Sequence, residues 1–265
     1  MKTDVIVLAG ARNNGKLMEV SDTPHEALIP IQGRPMVEYV FQALRSTPDI
    51  DRIGVVGPEE LRPILDPDME LVLAGDTYIE NIMRGVRHFR DRKRILLVTA
   101  DIPFIHRGAL EDFLQRCGDR EADIYYPVVS KEANEERFPG VQRTYFAIKD
   151  GTFTGGNIMM VSPEAVIRCQ PTVEKIVNSR KKPWEMFRLL GPIFILRALF
   201  KRLTLKDIEH RVKKMVDVVG KTIVSPYPEI GTDVDKPTDW HLACDQLAAD
   251  AKGREENASC EEVKG

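Results

Sequence analysis

Short runs of unbroken apolar residues alternate along the first half of the chain with stretches where apolar residues recur every three or four positions. The unbroken runs are Val5–Ala9, Ile53–Gly57, Glu70–Ala74 and Ile95–Ala100. They lack the polar alternation of a half-solvated strand, so they predict strands covered on both faces. Between them, Pro35–Ser46 places Met36, Val37, Val40, Phe41 and Leu44 on one helical face, and Ile79–Phe89 and Gly108–Arg116 read the same way. Strands separated by helices predict an α/β fold with a doubly wound, mostly parallel sheet and right-handed crossovers. Beyond Ala122 the pattern loosens into short strand-like runs at Ile124–Val129, Tyr145–Ile148 and Ile158–Val161, as in a substrate-binding flap set into the sheet. Two short helices are expected at Pro163–Gln170 and Thr172–Ser179, then a longer helical stretch over Trp184–Met215 broken at Gly191-Pro192. Ile223–Val224 is expected to return to the sheet, and Lys236–Ala249 to form a helix with Pro237 just inside its start. The chain therefore divides into a single domain over 1–250, with a helical insertion at 163–215, and a disordered acidic tail at 251–265.

Composition narrows the setting. The 265 residues carry a net charge of -3, so no global positive field recruits nucleic acid. Charge is uneven, however: residues 180–214 hold eleven Lys/Arg against three Asp/Glu, interleaved with apolar residues. That segment fits a packed helical insertion with solvated charges, an acceptor lid, or a patch in peripheral contact with anionic lipid. The four cysteines are dispersed, as expected for reduced thiols rather than a disulfide framework or zinc site. Thr3-Asp4 runs straight into Val5-Ile6-Val7-Leu8, the start of a strand and not of a signal peptide, and Leu189–Leu196 is far shorter than the ~20 residues of a membrane span. A cytoplasmic location is expected.

Three segments carry candidate chemistry. The first strand leaves through Leu8-Ala9-Gly10-Ala11, and Gly15-Lys16 closes the same loop. Glycines let backbone amides approach a polyphosphate, and lysine adds a positive charge. Gly10–Lys16 fits the first seven positions of a P-loop, but the eighth is Leu17, which has no hydroxyl for magnesium. The apolar run Ile95–Ala100 ends in Asp101, where open α/β sheets keep their ligand crevice. Near the end, Gly231-Thr232-Asp233-Val234-Asp235-Lys236-Pro237 supplies two further acids. Asp101 and Asp235 also fit helix caps.

Together with Glu26-Ala27-Leu28-Ile29-Pro30 and Gly33-Arg34-Pro35, these segments resemble the opening, the metal-binding aspartate and the closing D-x-D of the NTP-transferase superfamily, which includes molybdenum-cofactor guanylyltransferase-like enzymes. The resemblance implies a Rossmann-like nucleotide-diphospho-sugar transferase fold and a nucleotidyltransferase moving a nucleoside monophosphate from an NTP to a phosphorylated or hydroxyl small-molecule acceptor. It implies Mg2+ held by Asp101 and Asp235, with Lys16 supplying catalytic charge. It assigns nucleotide binding to Leu8, Ala9, Gly10, Ala11, Gly15, Lys16, Gly75, Asp76 and Asn81, and acceptor binding to Gly155, Gly156 and Asn157. Two departures stand out: the opening loop is one residue longer than usual, and Glu26 occupies the place of a phosphate-binding lysine, leaving Arg12, Lys16 or Arg34 to supply the charge. A nucleotide-binding or regulatory protein without turnover shares these features, and a type-A glycosyltransferase shares the sheet and a D-x-D.

Overall fold

A computed structural model describes residues 2–118, 122–179 and 190–262. Nine strands of the described residues form one mixed, mostly parallel sheet. β1 (Thr3–Leu8) lies between β4 (Ile50–Gly57) and β6 (Ile95–Thr99), parallel to both, and β5 (Met69–Leu73) extends the β4 side. The chain thus winds one way from β1 to β4 and the other way to β6, which opens a crevice at the carboxyl ends of β1 and β6. The small ribbon of β2 (Pro30–Ile31) and β3 (Arg34–Pro35) stands apart from this sheet.

Both sheet faces are covered, as unbroken apolar strands require. Val5, Val7, Val55 and Leu96 pack with Val37, Phe41 and Leu44 of α1 (Met36–Arg45) and with Ala109, Leu110 and Phe113 of α3 (Arg107–Cys117). Their neighbours Ile6, Leu8, Val56 and Leu97 point the other way, onto Val86 and Phe89 at α2 (Tyr78–His88). The strict in-out alternation of a strand is present; both sides simply happen to be interior.

β7 (Ile124–Ser130), followed by α4 (Lys131–Arg137), anchors the second half. Along one edge β7 pairs antiparallel with β10 (Ile158–Val161) and, further on, with β9 (Gly151–Gly155), which continues into a hairpin with β8 (Phe146–Ile148). β10 also fills the gap between β6 and β7. β11 (Gly220–Ser225) runs parallel along the other edge of β7, the expected return to the sheet.

Four expectations change. Pro163–Ser179 is one helix, α5, with Pro171 inside it, and not two: proline removes one ladder donor, but the helix continues through it. The helical stretch after Gly191 is broken a second time: α6 (Pro192–Leu199) ends near Lys201, which has φ +53°, and α7 (Leu205–Val216) starts afresh at Thr204. Gly151–Gly155, outside the expected strand-like runs, is itself a strand. The last helix, α8 (Pro237–Glu262), ends beyond the expected Ala249. Trp184 and Arg188 of the basic insertion lie outside the described residues. No helix of the described residues is long and apolar enough to cross a membrane.

α7 opens with a capping box, in which the Thr204 hydroxyl accepts from the Asp207 N–H and the Asp207 carboxylate accepts from the Thr204 N–H. Thr204→Ala is expected to cost about 1 kcal/mol of stability, read by urea denaturation.

Candidate active site

The site is assembled where the ends of β1, β6 and β9 meet the segment before α8. Its two acidic segments are joined through backbone: the Val234 N–H donates to the Asp101 carbonyl at 2.9 Å. Val234 is fully buried among Leu17, Ile29, Ile31, Met36 and Phe138. In an extended stretch, burying the middle residue turns its neighbours the other way, so Asp233 and Asp235 face the crevice. Carboxylate oxygens of Asp101, Asp233 and Asp235 come within 4.8 Å of one another. The Thr99 hydroxyl donates to Asp101 and fixes that carboxylate over the end of β6.

Gly155, Gly156 and Asn157 close the opposite side. Between β9 and β10 the chain bulges, and both central amides are occupied: Gly156 N–H donates to Pro127 O at 2.9 Å, and Asn157 N–H to Ile230 O at 2.8 Å. The Asn157 carbonyl accepts in turn from Thr99 N–H at 3.1 Å. The bulge therefore clamps β6 to the D-x-D segment and contributes shape and the Asn157 side chain rather than backbone donors. A Cβ on Gly156 would lie 2.8 Å from both Ile230 and Pro127, which explains the glycine. A cleft of 630 Å³ is lined by Lys16, Tyr126, Arg143, Asn157, Asp233 and Asp235, among others.

The first loop is held by one side chain and by backbone. Asn13 Nδ2 donates to the carbonyls of Ser21 and Thr23, and Glu26 N–H donates to Ala11 O at 3.1 Å. Gly15 borders open space, and the exposed Lys16, without an ion pair among the described residues, reaches the cleft. The loop leads into a 3-10 turn, Lys16–Glu19, and not into an α-helix, so the P-loop likeness stops at Lys16 and no helix dipole backs it. Leu8 and Ala9 form its buried root.

The second loop, Gly75–Asn81, abuts the first. A Cβ on Gly10 would lie 2.6 Å from Asn81 Nδ2, so only glycine allows that approach. Asn81 is 6% exposed, and its Oδ1 accepts from Gly75 N–H at 2.6 Å. Asp76 N–H donates to Glu80 at 3.1 Å. These residues lock two loops together beside the crevice.

Electrostatics reveal what the sequence did not. Arg143 sits among Asp101, Asp233, Asp235 and Asp239 and makes an ion pair with Asp233; burial pulls its pKa down, while the surrounding acids oppose that. Burial chiefly raises the pKa of Asp101, with Asp235 adding and the Thr99 hydrogen bond and Arg143 opposing. Glu26 feels the same acids: burial, then Asp101 and Asp235, push its pKa up to about 7. Glu26 thus lies in the field of Asp101 and Asp235, outside the 4.8 Å group that those two form with Asp233. Arg34 is engaged by Glu38 and Gln42 and stacks on Tyr39. Tyr78 borders this corner: the residue is largely exposed, while burial of its hydroxyl end, then Asp101 and Tyr126, raises its pKa.

Residues 5–220 match the MobA-like NTP transferase domain. No curated protein sequence matches the chain. Among solved structures, a hypothetical transferase from Thermus thermophilus superposes with a TM-score of 0.78 at 33% identity, covering 91% of this chain and all (100%) of that one. The 2-C-methyl-D-erythritol 4-phosphate cytidylyltransferase of Thermus thermophilus gives a TM-score of 0.55 at 15% identity, over 93% of this chain and 98% of its own. CMP:2-keto-3-deoxy-manno-octonic acid synthetase, solved with CTP, gives 0.57 at 13% identity, over 94% of this chain and 100% of its own. The last two share the fold.

Proposed function

The chain belongs to the MobA-like NTP transferase domain family, and from that premise we propose that it is a magnesium-dependent nucleotidyltransferase. An oxygen of a phosphorylated or hydroxyl acceptor forms a bond to the α-phosphorus of an NTP. The bond from that phosphorus to the bridging oxygen breaks, and pyrophosphate leaves with the electron pair. The observation that carries the reading is the meeting of Asp101 and Asp235, 134 positions apart (235 minus 101), within one 4.8 Å group beside Lys16.

The donor set is all oxygen, which suits Mg2+: it takes one or two carboxylates and completes its shell with phosphate oxygens and water. Asp101 and Asp235 would hold it, and when bound it neutralises triphosphate charge. The crowded carboxylates support this fit, since like charges so close are relieved by a cation. The remaining work falls to the chain's own groups. The Gly10–Lys16 loop receives the triphosphate, Lys16 adds positive charge, Arg143 orients Asp233, and Asn157 faces the acceptor side. No side-chain nucleophile is needed; positioning and charge suffice. Cys117, Cys169 and Cys244 are free thiols, which supports work in a reducing compartment, the cytoplasm.

A thermal-shift panel of nucleoside triphosphates, with and without magnesium, tests binding through mass action; pyrophosphate release with an acceptor panel tests transfer. A second reading, a nucleotide-binding regulator without turnover, is motivated by Glu26 among the acids, and is selected if triphosphates bind but no acceptor elicits pyrophosphate. Lys16→Met is expected to weaken Mg-NTP binding about tenfold, from the ~1.5 kcal/mol of a hydrogen bond to a charged group, as measured by calorimetry. Unchanged affinity would remove Lys16 from the site.

A further inference from the structure

Beneath the acid cleft lies a second cavity, of 390 Å³, between the sheet and helices α2 and α5. Its floor is Leu8, Leu97 and Met159, and its roof is Ile82 of α2 with Val166 and Val173 of α5. A volume in this range is that of a small-molecule site, and a pocket walled by hydrocarbon takes apolar matter in preference to water.

The lining is mostly apolar; Cys169 and Gln170 of α5 and Tyr78 of α2 add polar atoms to the roof, and the other polar residues stand toward the acids. Tyr126, Gly156 and Asn157 line this cavity and the acid cleft alike. Thr99, also in its wall, donates its hydroxyl to Asp101. At this junction Gly155 carries no side chain, and the Tyr126 hydroxyl occupies the space that a Cβ there would need. The two cavities therefore adjoin at these residues, with the acids at one end and a mostly apolar end running under α5. A nucleobase is poorly matched to that end, because it would bury ring nitrogens and carbonyls among Ile, Leu, Val and Met.

A second feature points the same way. α5, the roof, packs on α7, and α6 is tied to α7 by Arg197, which donates to both carboxylate oxygens of Asp207 at 2.9 and 2.7 Å. α6 presents Ile193, Leu196 and Leu199 to solvent at 76%, 56% and 74% exposure, with Phe200 beside them at 65% and the basic Lys201 and Arg202 next in the chain. Exposed apolar residues with flanking bases suit the surface of an anionic amphiphile or its aggregate.

We propose that the acceptor is itself an amphiphile: a phosphate or hydroxyl head beside Asn157 and the acids, with a flexible apolar chain in the cavity under α2 and α5. This deepens the nucleotidyl-transfer reading and rests on it. The head oxygen forms the new bond to the α-phosphorus and pyrophosphate departs; a hydroxyl head gives up its proton to solvent, whereas a phosphate dianion has none to lose. The chain takes no part in bond-making and serves to place the head.

The test is a series of n-alkyl phosphates from butyl to dodecyl, titrated calorimetrically into the whole protein below their micellar concentrations. Affinity is expected to rise about fourfold per methylene, the equivalent of burying one such group, and then to level off when the cavity is full. Val166→Trp, which fills the cavity from its roof, is expected to weaken octyl phosphate about tenfold and leave butyl phosphate and Mg-NTP unchanged. Affinity independent of chain length in the wild-type protein overturns the proposal, as does competition between octyl phosphate and Mg-NTP, which would mean that the nucleotide itself uses the cavity. Binding does not depend on turnover, so the two readings fail separately. A chain-length slope without pyrophosphate release by any member keeps the cavity and removes the transfer. Release with short phosphorylated polyols and no slope does the reverse. Co-sedimentation with vesicles carrying dodecyl phosphate, but not with plain phosphatidylcholine vesicles, identifies a membrane as the source; an intact slope without co-sedimentation identifies a soluble amphiphile.

Discussion

Asp101→Asn is expected to lower magnesium-dependent pyrophosphate release by about 10²–10³-fold, the usual loss when one preorganised charge-stabilising group is removed from a transfer site. The substitution keeps shape and replaces a charged oxygen by an amide. Thr99 still meets a side-chain oxygen or nitrogen at that place, and the Val234 N–H still reaches the main-chain carbonyl, so the crevice keeps its geometry. What is lost is one of three carboxylates within 4.8 Å. Without metal, removing one of several crowded acids relieves repulsion, so the variant's apo stability should equal or exceed that of the wild type. The increase in melting temperature on adding magnesium should disappear. Asp235→Asn should act in the same direction, and the double variant should be little worse than either alone, because groups acting on one ion do not contribute additively. Asp233→Asn should behave differently: Asp233 is already paired with Arg143, and its loss leaves a buried guanidinium without that partner, a cost in stability as well as in rate. Full turnover in Asp101→Asn would move the metal, and with it the site, elsewhere.

The parts of this arrangement that could be read from the sequence are those with a local cause. Unbroken apolar runs announced β1 and β6 because both of their faces are covered, and the acid at the end of β6 followed from where such sheets keep their ligands. The D-x-D segment was visible as a motif, and Val234 shows why it works: burying one residue of an extended stretch aims its two neighbours outward. Arg143 had no such signal. It stands in the irregular stretch between α4 and β8, without periodicity or turn chemistry of its own, and its importance comes from Asp233, 90 positions away. Glu26 was visible as a departure from a family lysine; what the sequence did not show is that burial, Asp101 and Asp235 together raise its pKa. Gly155, Gly156 and Asn157 were singled out by the resemblance as acceptor-binding, and the structure gives their backbone a packing role. The Gly156 and Asn157 amides bond to Pro127 and Ile230 instead of waiting for a ligand, and the glycines answer to packing. The apolar cavity escaped altogether, since its walls come from β1, β6, β7, β10, α2 and α5, each of which looks like ordinary core in sequence.

Glu26→Gln is expected to stabilise the metal-free protein at pH 8 by about 2 kcal/mol and to have no effect below about pH 4.5. The sign follows from proton binding. In the unfolded chain the Glu26 carboxyl titrates near its ordinary 4.5, while in the fold burial, Asp101 and Asp235 hold it to about 7. Between those values the folded state binds more protons than the unfolded one, so stability falls as pH rises through the window and the full penalty stands above it. A shift of this size corresponds to about 3 kcal/mol at face value, and to about 2 after solvent screening of a half-buried group is allowed for. Glutamine has no charge to suppress, so its stability curve should lack that slope. At this chain length 2 kcal/mol amounts to a rise of about 4–8 °C in melting temperature. Magnesium should narrow the gap, because a cation among Asp101, Asp233 and Asp235 makes the ionised Glu26 tolerable again and draws its proton off at lower pH. Chemical denaturation of both proteins from pH 4.5 to 8, with and without magnesium, reads all of this at once. Curves that run parallel across the range would place Glu26 outside the influence of the acids, and a gap that magnesium leaves untouched would place the ion elsewhere.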